Sequence, residues 1–170
     1  SEIACLMLSD WHLSEVISEE ETNYSNKYNS LIAANRVAKL AESTKQILNF
    51  HKQAYSIEKL WVPVLGDLVS GSHITDLGHT NDAEDSVASI LIARLLQLLL
   101  MDLKTLNIPI EMDCLVGNHA RFSSKLPTKR VAYNTWDYVI YEMVSNYFQN
   151  DSQVKVNIHP GHIVRVKQYD

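Results

Sequence analysis

The strongest constraint on the fold is the alternation of short apolar runs with longer segments of helical period. The short runs predict buried strands, and they span 3–8, 60–65 and 108–116. Between and after them, apolar residues recur every three to four positions, as in amphipathic helices, over 28–50 and 131–148. A further helix is predicted over 82–106, and because it is apolar on most sides we expect it to be deeply packed. Strands that alternate with long helices predict an α/β protein with a largely parallel first sheet.

Local signals refine this outline. Asp82 or Asp85 is expected to cap the second helix. Pro63 lies inside the second apolar run, which indicates an edge position or a local irregularity. Apolar residues then alternate on both sides of Pro160-Gly161, which predicts a hairpin over 154–166. With no repeat or linker, the sequence predicts a single domain over 1–170.

Composition excludes several classes of protein. The chain has 170 residues and 46% hydrophobic residues, too many for a disordered segment. Its net charge of -5 provides no global attraction to nucleic acid, so such binding would need a local basic patch. Cys5 and Cys114 lie in separate apolar runs, where we expect them to be core residues of a protein in a reducing compartment, the cytoplasm.

No membrane or targeting segment is expected. The N-terminus lacks the charged and apolar regions of a signal peptide. The most apolar stretch, 87–103, is interrupted by Arg94, Gln97 and Asp102, so we expect no membrane partner.

Side chains that can bind a metal follow each of the first three predicted strands. Asp10 and His12 follow the first, Asp67 the second, and Asn118 and His119 the third. Ligands collect at the carboxyl ends of parallel strands, so these residues are expected to converge. Each motif alone is common in turns, but their joint occurrence indicates a site for Mn, Fe or Zn, and the lack of thiolates argues against structural zinc. Two such metals would clamp a phosphate and activate a water molecule.

Three motifs carry a resemblance to a known family. They are Ser9-Asp10-Trp11-His12, Gly66-Asp67-Leu68-Val69-Ser70 and Gly117-Asn118-His119-Ala120. They resemble the first three signature blocks of the calcineurin-like metallophosphoesterase superfamily, which includes phosphoprotein phosphatases, cyclic-nucleotide phosphodiesterases and nucleases of double-strand-break repair. The resemblance covers about residues 3–125 and implies a two-sheet β-sandwich flanked by helices.

The resemblance also implies roles for individual residues. Asp10 and His12 would bind one of two divalent metal ions, Mn first and Fe or Zn as alternatives. Asp67 would bridge both ions, Asn118 would bind the second, and His119 would assist catalysis beside the leaving group.

The sequence departs from the family pattern in three places. Ala120 stands where an acidic residue often follows Asn-His, and Ser70 stands where many members have a second Asp. The later His-Gly and Gly-His-x-His blocks are not found, and His159 and His162 are interpreted as residues of a solvated turn. We therefore expect residues 1–170 to be the N-terminal part of a catalytic domain that is incomplete at its C-terminus.

A basic segment follows the third motif directly. Arg121 is expected to hold phosphate oxygens in a bidentate geometry. Lys125, Lys129 and Arg130 either hold a polyanionic substrate or form a solvated loop.

Other aromatic and histidine residues are ambiguous or structural. His73 and His79 are interpreted as exposed loop residues, and Trp136 as a core or partner-facing residue. Trp11 either stacks on a substrate base or packs under its loop.

The sequence as a whole predicts a metal-dependent hydrolase of phosphate esters, leaning to phosphodiester or nucleic-acid substrates because of the basic segment. The alternatives are a phosphomonoesterase acting on a phosphoprotein or nucleotide, and a non-catalytic binding scaffold on the same fold.

Overall fold

The fold is a parallel sheet with three helices, seen in a computed structural model that describes residues 2–73, 78–125 and 129–161. The strands are β1 (Glu2–Cys5), β2 (Ile57–Val64), β3 (Ile110–Cys114) and β4 (Val154–Ile158). The helices are α1 (Ser30–His51), α2 (Asp85–Leu103) and α3 (Trp136–Tyr147), with short 3-10 turns at Glu20–Thr22, Lys104–Leu106 and Val131–Asn134.

The sheet has the order β1-β2-β3-β4, and every neighbouring pair is parallel. This confirms the predicted α/β class and parallel first sheet. The described residues form this single sheet, and no second sheet is among them. The first arm of the predicted hairpin is β4, whereas its second arm falls at 162–170, outside the described residues.

One face of the sheet and the inner sides of the three helices make the hydrophobic core. In-register neighbours such as Leu60 and Ile110, or Val62 and Met112, point to the same face and are at most 1% exposed. Each large apolar side chain buried in this way contributes about 1.5–3 kcal/mol to stability.

The predicted positions of Pro63 and of the helix caps need correction. Pro63 lies in β2, which is a central strand, so the edge prediction is wrong. The irregularity is present, because β1 ends at Cys5 and regular pairing gives way to an isolated bridge from Leu8 to Val64. Proline has no N–H to donate to the neighbouring strand at this point.

Asp82 and Asp85 do not cap α2, contrary to prediction. The N-cap residue of α2 is Glu84, without a side-chain hydrogen bond. Asp82 instead accepts from the backbone N–H of Ser30 at 2.8 Å, next to Asn29, which is the N-cap residue of α1. Asp85 accepts from the N–H of Ser72 at 3.0 Å, which ties the loop after β2 to α2.

Several apolar residues expected in the core are exposed. Leu31 is 71% exposed, Leu98 is 66% exposed, and Tyr147 is 56% exposed, because they face away from the sheet. Cys114 is buried as expected, whereas Cys5 is exposed on β1, so its prediction as a core residue is wrong.

Within the described part of the chain, one helical segment, Asp85–Leu106, is long and apolar enough to cross a membrane, with a mean hydropathy of 1.8. Half of its most apolar window is buried inside the protein, as in a core helix. Length and composition alone do not distinguish a membrane-spanning helix from a core helix.

The opposite face of the sheet carries a polar cluster, made of Lys59, Trp61, Glu111, Asp113, Asn157 and His159. Asp113 is central to it and accepts hydrogen bonds from Trp61 Nε1 at 2.7 Å, from Asn157 Nδ2 at 3.0 Å and from His159 Nε2 at 2.7 Å. Burial raises the pKa of the Asp113 carboxyl, but these hydrogen bonds outweigh burial and hold the pKa below its ordinary value.

Replacing Asp113 tests this cluster. Because the folded-state pKa lies below 3.8, the stability from Asp113 is present above that pH and is lost as the pH falls through the folded-state pKa. We expect Asp113→Asn to lower the free energy of unfolding by about 1–3 kcal/mol at neutral pH, with a smaller loss in acid. Urea unfolding across the acidic range measures both effects. Glu58→Gln, at an exposed position of β2, is the control, and a loss that does not change with pH would contradict the interpretation.

Candidate functional site

The loops that follow β1 and β2 lie side by side at the carboxyl edge of the sheet. The backbone N–H of Asp10 donates to Gly66 O at 3.1 Å, and that of His12 donates to Asp67 O at 3.1 Å. These bonds continue the strand pairing beyond the regular sheet. They bring the first two motifs together, as their positions after adjacent parallel strands predicted.

The third loop joins this pair through Asp67. The backbone N–H of His119 donates to Asp67 Oδ1 at 2.6 Å. A Cβ atom on Gly117 would lie 2.1 Å from the same oxygen, and one on Gly66 would lie 2.0 Å from Gly117 N. The two glycines therefore allow the loops to approach within direct contact.

Three candidate ligands have left-handed backbone. The φ angles are 54° at Asp10, 45° at His12 and 54° at Asp67. This conformation is costly for residues other than glycine, although Asp, Asn and His adopt it more often than most. Strain of this kind is concentrated at functional sites, where the surrounding structure holds it in place.

The side chains of two histidines meet between the loops. The rings of His12 and His119 are 4.5 Å apart between centroids and nearly perpendicular. His12 Nε2 lies 3.5 Å from Asp10 Oδ1. The structure therefore brings together Asp10, His12, Asp67 and His119, which come from three separate loops.

A backbone carbonyl orients the His119 ring. His119 Nδ1 lies 3.3 Å from Ser70 O, and a carbonyl oxygen only accepts, so Nδ1 is the protonated nitrogen in this bond. The other nitrogen, Nε2, is then able to exchange a proton. Ala120 is fully buried, and its carbonyl oxygen accepts from the backbone N–H of Trp136 at 2.7 Å.

Arg121 lies beside the site but is held by its own loop. Its Nε donates to Asn118 O at 2.9 Å, and one terminal nitrogen lies 3.4 Å from His73 Nε2. Burial, together with the charges of Arg121 and His119, lowers the pKa of His73. His73 is half-buried, so its prediction as an exposed loop residue is wrong, whereas His79 is exposed as predicted.

Among the candidate ligands, Asn118 has the fewest contacts with the rest of the site. It is exposed, and within the described residues only its backbone makes a hydrogen bond, the one from Arg121. In the basic segment Lys125, Lys129 and Arg130 are exposed, and 126–128 lie outside the described residues.

The candidate ligands have the donor atoms that a divalent metal ion prefers, but they are not arranged around a common point. His12 Nδ1 is buried and has no hydrogen-bond partner among the described atoms, a condition that a metal ion relieves. Carboxylate oxygens of Asp10 and Asp67 are suitable further ligands. Among the described residues, however, no three His, Cys, Asp or Glu side chains surround a common point.

Asp137 joins the second and third loops, and the sequence interpretation did not include it. Its Oδ2 accepts from the backbone N–H groups of Asp67 at 3.0 Å and Gly117 at 2.9 Å. Its Oδ1 accepts from the N–H of Leu68 at 3.2 Å. One carboxylate at the start of α3 therefore fixes the backbone on both sides of the site.

The Asp137 carboxyl is fully buried, and burial raises its pKa to about 6 against the opposing effect of its three hydrogen bonds. A sequence signal for it exists. Asp137 shares a helical face with the buried Ile140, Tyr141 and Val144, so it is a carboxylate on an otherwise apolar face.

A single methyl group tests the close approach of the loops. We expect Gly117→Ala to lower the free energy of unfolding by about 1–3 kcal/mol, because the new Cβ would overlap Asp67. Gly161→Ala is the matched control, since a Cβ there meets nothing within 4 Å. Equal stability of the two variants in urea unfolding would disprove the packing described for Gly117.

The buried Asp137 predicts a particular pH dependence. With its pKa raised from 3.8 to about 6, the stability linked to this group is full below pH 3.8 and is lost as the pH rises through about 6. Relative to Asp137→Asn, the wild-type protein should therefore lose up to about 3 kcal/mol between pH 4 and pH 7.

Urea unfolding in the presence of a chelator measures this difference. Glu142→Gln, on the same helix, should follow the wild-type pH profile. If the Asp137→Asn profile runs parallel to that of the wild-type protein, Asp137 does not carry the raised pKa.

Comparisons with known proteins give no match for this chain, whether to family models, to curated proteins or to solved structures. The family resemblance therefore depends on the three motifs and stays a prediction.

Proposed function

We propose that this protein is a metal-dependent phosphoesterase of the calcineurin-like type, which hydrolyses phosphate esters with an activated water molecule. The observation that supports the proposal is the convergence of the three motifs. Asp10, His12, Asp67 and His119 come from separate loops and lie together at the carboxyl edge of a parallel sheet. Convergence of this kind is expected of a site and not of three unrelated turns.

The donor set supports two divalent metal ions, with Asp10, His12, Asp67 and Asn118 as the proposed ligands and Mn as the first choice. When bound, such ions would neutralise phosphate charge and lower the pKa of a coordinated water molecule. Asn118 and its loop would have to move for its side chain to take part.

The remaining roles belong to side chains of the third loop. His119 is held through Nδ1 by Ser70 O, so its Nε2 is the atom that would transfer a proton or donate to a phosphate oxygen. Arg121 has five N–H donors and uses its Nε to bind Asn118 O, which leaves terminal donors to bind a phosphate oxygen.

We propose a phosphodiester or nucleic acid as the substrate, because the exposed Lys125, Lys129 and Arg130 follow the site closely in the chain. Phosphomonoesters of proteins or nucleotides are the alternative substrates. Relative rates on one monoester and one diester with the same leaving group discriminate between them.

The two-sheet sandwich of the family belongs to this proposal. Charged and aromatic side chains cover the face of the sheet opposite the helices, including Lys59, Trp61 and Asp113. Parallel sheets are generally covered on both faces. A second sheet, formed by residues other than those described, would pack against this polar cluster.

A non-catalytic scaffold is the second candidate. It is favoured by the lack, among the described residues, of three acidic, histidine or cysteine side chains around a common point. Calorimetric titration with Mn separates the two candidates, since a scaffold would bind the metal weakly.

The central prediction concerns Asp67. The full chain with Mn should hydrolyse a generic phosphodiester, a chelator should stop the reaction, and Asp67→Asn should reduce the rate by at least about a hundredfold. Asp102→Asn is the matched control, since Asp102 lies in the last turn of α2, outside the proposed site, and pairs with Lys45 of α1. Activity that survives chelation or the Asp67 substitution would exclude the proposal.

A further inference from the structure

A cavity of about 440 Å³ opens directly beside the first motif. Asp10 and His12 line one end of it, so a group bound there would lie next to the proposed metal ligands. Its size falls within the range of about 300–1,000 Å³ that is typical of small-molecule sites. The proposed phosphoesterase chemistry does not use it.

The walls of the cavity are apolar and built from two elements. Ala33, Val37 and Leu40 come from one face of α1, while Trp11 and Ile17 come from the loop after β1. Together they give the cavity apolar surface from two elements, against which a flat aromatic group can pack.

The loop wall is held in place by its own hydrogen bonds. Ile17 and Tyr28 exchange backbone hydrogen bonds at 3.0 Å in both directions, and the Tyr28 hydroxyl donates to Trp11 O. The cavity is therefore present without a ligand, and little ordering of the loop is needed for binding.

Polar groups line the rest of the cavity, and they include both donors and acceptors. Arg36 lies over the Tyr28 ring, 5.4 Å from its centroid, and donates to Asn26 Oδ1 at 3.3 Å. This bond uses one of the five guanidinium N–H donors. Glu15 adds a carboxylate acceptor, and Asn26 adds an amide.

We propose that this cavity binds a nucleobase, and that the substrate of the neighbouring site is therefore a nucleotide ester. A base has two apolar faces and an edge of alternating donors and acceptors, which the walls and the polar residues complement. An acyl chain would not use Arg36, Asn26 or Glu15. The link to a substrate depends on the proposed function, whereas base binding itself does not.

The first test uses no metal and no hydrolysis. Adenosine, guanosine and thymidine are titrated against the full chain in a chelator, followed by NMR, with ribose as the base-free control. At least one nucleoside should bind at least about tenfold more tightly than ribose. Arg36→Met should weaken that binding about tenfold, because it removes the charged donor and keeps an unbranched side chain.

Arg94→Met is the matched control, since Arg94 is an exposed arginine on α2 that does not line the cavity. It should bind like the wild-type protein, and circular dichroism should show that both variants are folded. The proposal is overturned if nucleosides bind no better than ribose, if Arg36→Met leaves their affinity unchanged, or if Arg94→Met weakens it equally.

The second test addresses the substrate. With Mn present, Arg36→Met should raise KM about tenfold for the para-nitrophenyl ester of thymidine monophosphate and leave KM for methyl para-nitrophenyl phosphate unchanged. Equal changes for both esters would contradict a base site. If neither ester is hydrolysed but nucleosides bind, the proposed function fails and the cavity assignment stands.

Discussion

The carboxylate of Asp137 is the interaction on which the arrangement of the site depends. It binds backbone N–H groups of Asp67, Leu68 and Gly117, and so joins the loops after β2 and β3 to the first turn of α3. Burial raises the pKa of this carboxyl to about 6 in spite of these bonds, so keeping it charged in this place costs stability. A costly buried charge is retained most readily where it positions other groups, and Asp67 is the residue it positions here.

The bond from Asp67 extends this arrangement to His119. Asp67 donates its backbone N–H to the Asp137 carboxylate, and its side-chain Oδ1 accepts a hydrogen bond from the backbone N–H of His119. His119 is then oriented by Ser70 O, a carbonyl in the same loop as Asp67. The loops after β2 and β3 are thus held by two carboxylates, those of Asp137 and Asp67, which bind main-chain N–H groups.

Sequence reasoning succeeded where the information was local. Apolar runs and periodicity predicted the four strands and three α-helices of the described residues to within about five positions, but not the 3-10 turn at Glu20–Thr22. The motifs at the strand ends predicted that Asp67 and His119 would meet. It failed where a contact leaves no motif or periodic pattern in the sequence. Asp137 binds Asp67 from 70 positions away, and Asp82 binds the first residue of α1 from 52 positions away. Periodicity identifies an apolar face such as that of Leu98, but it does not say whether anything covers that face.

The left-handed backbone at Asp10, His12 and Asp67 limits how such a site can change during evolution. Branched side chains such as Val, Ile or Thr are penalised at these positions, whatever their value as neighbours of a ligand. The residues that tolerate this conformation best are glycine, asparagine, aspartate and histidine. Glycine has no side chain to bind a metal ion, whereas the other three offer an oxygen or a nitrogen. A thiolate is therefore hard to introduce at these three positions by a single substitution.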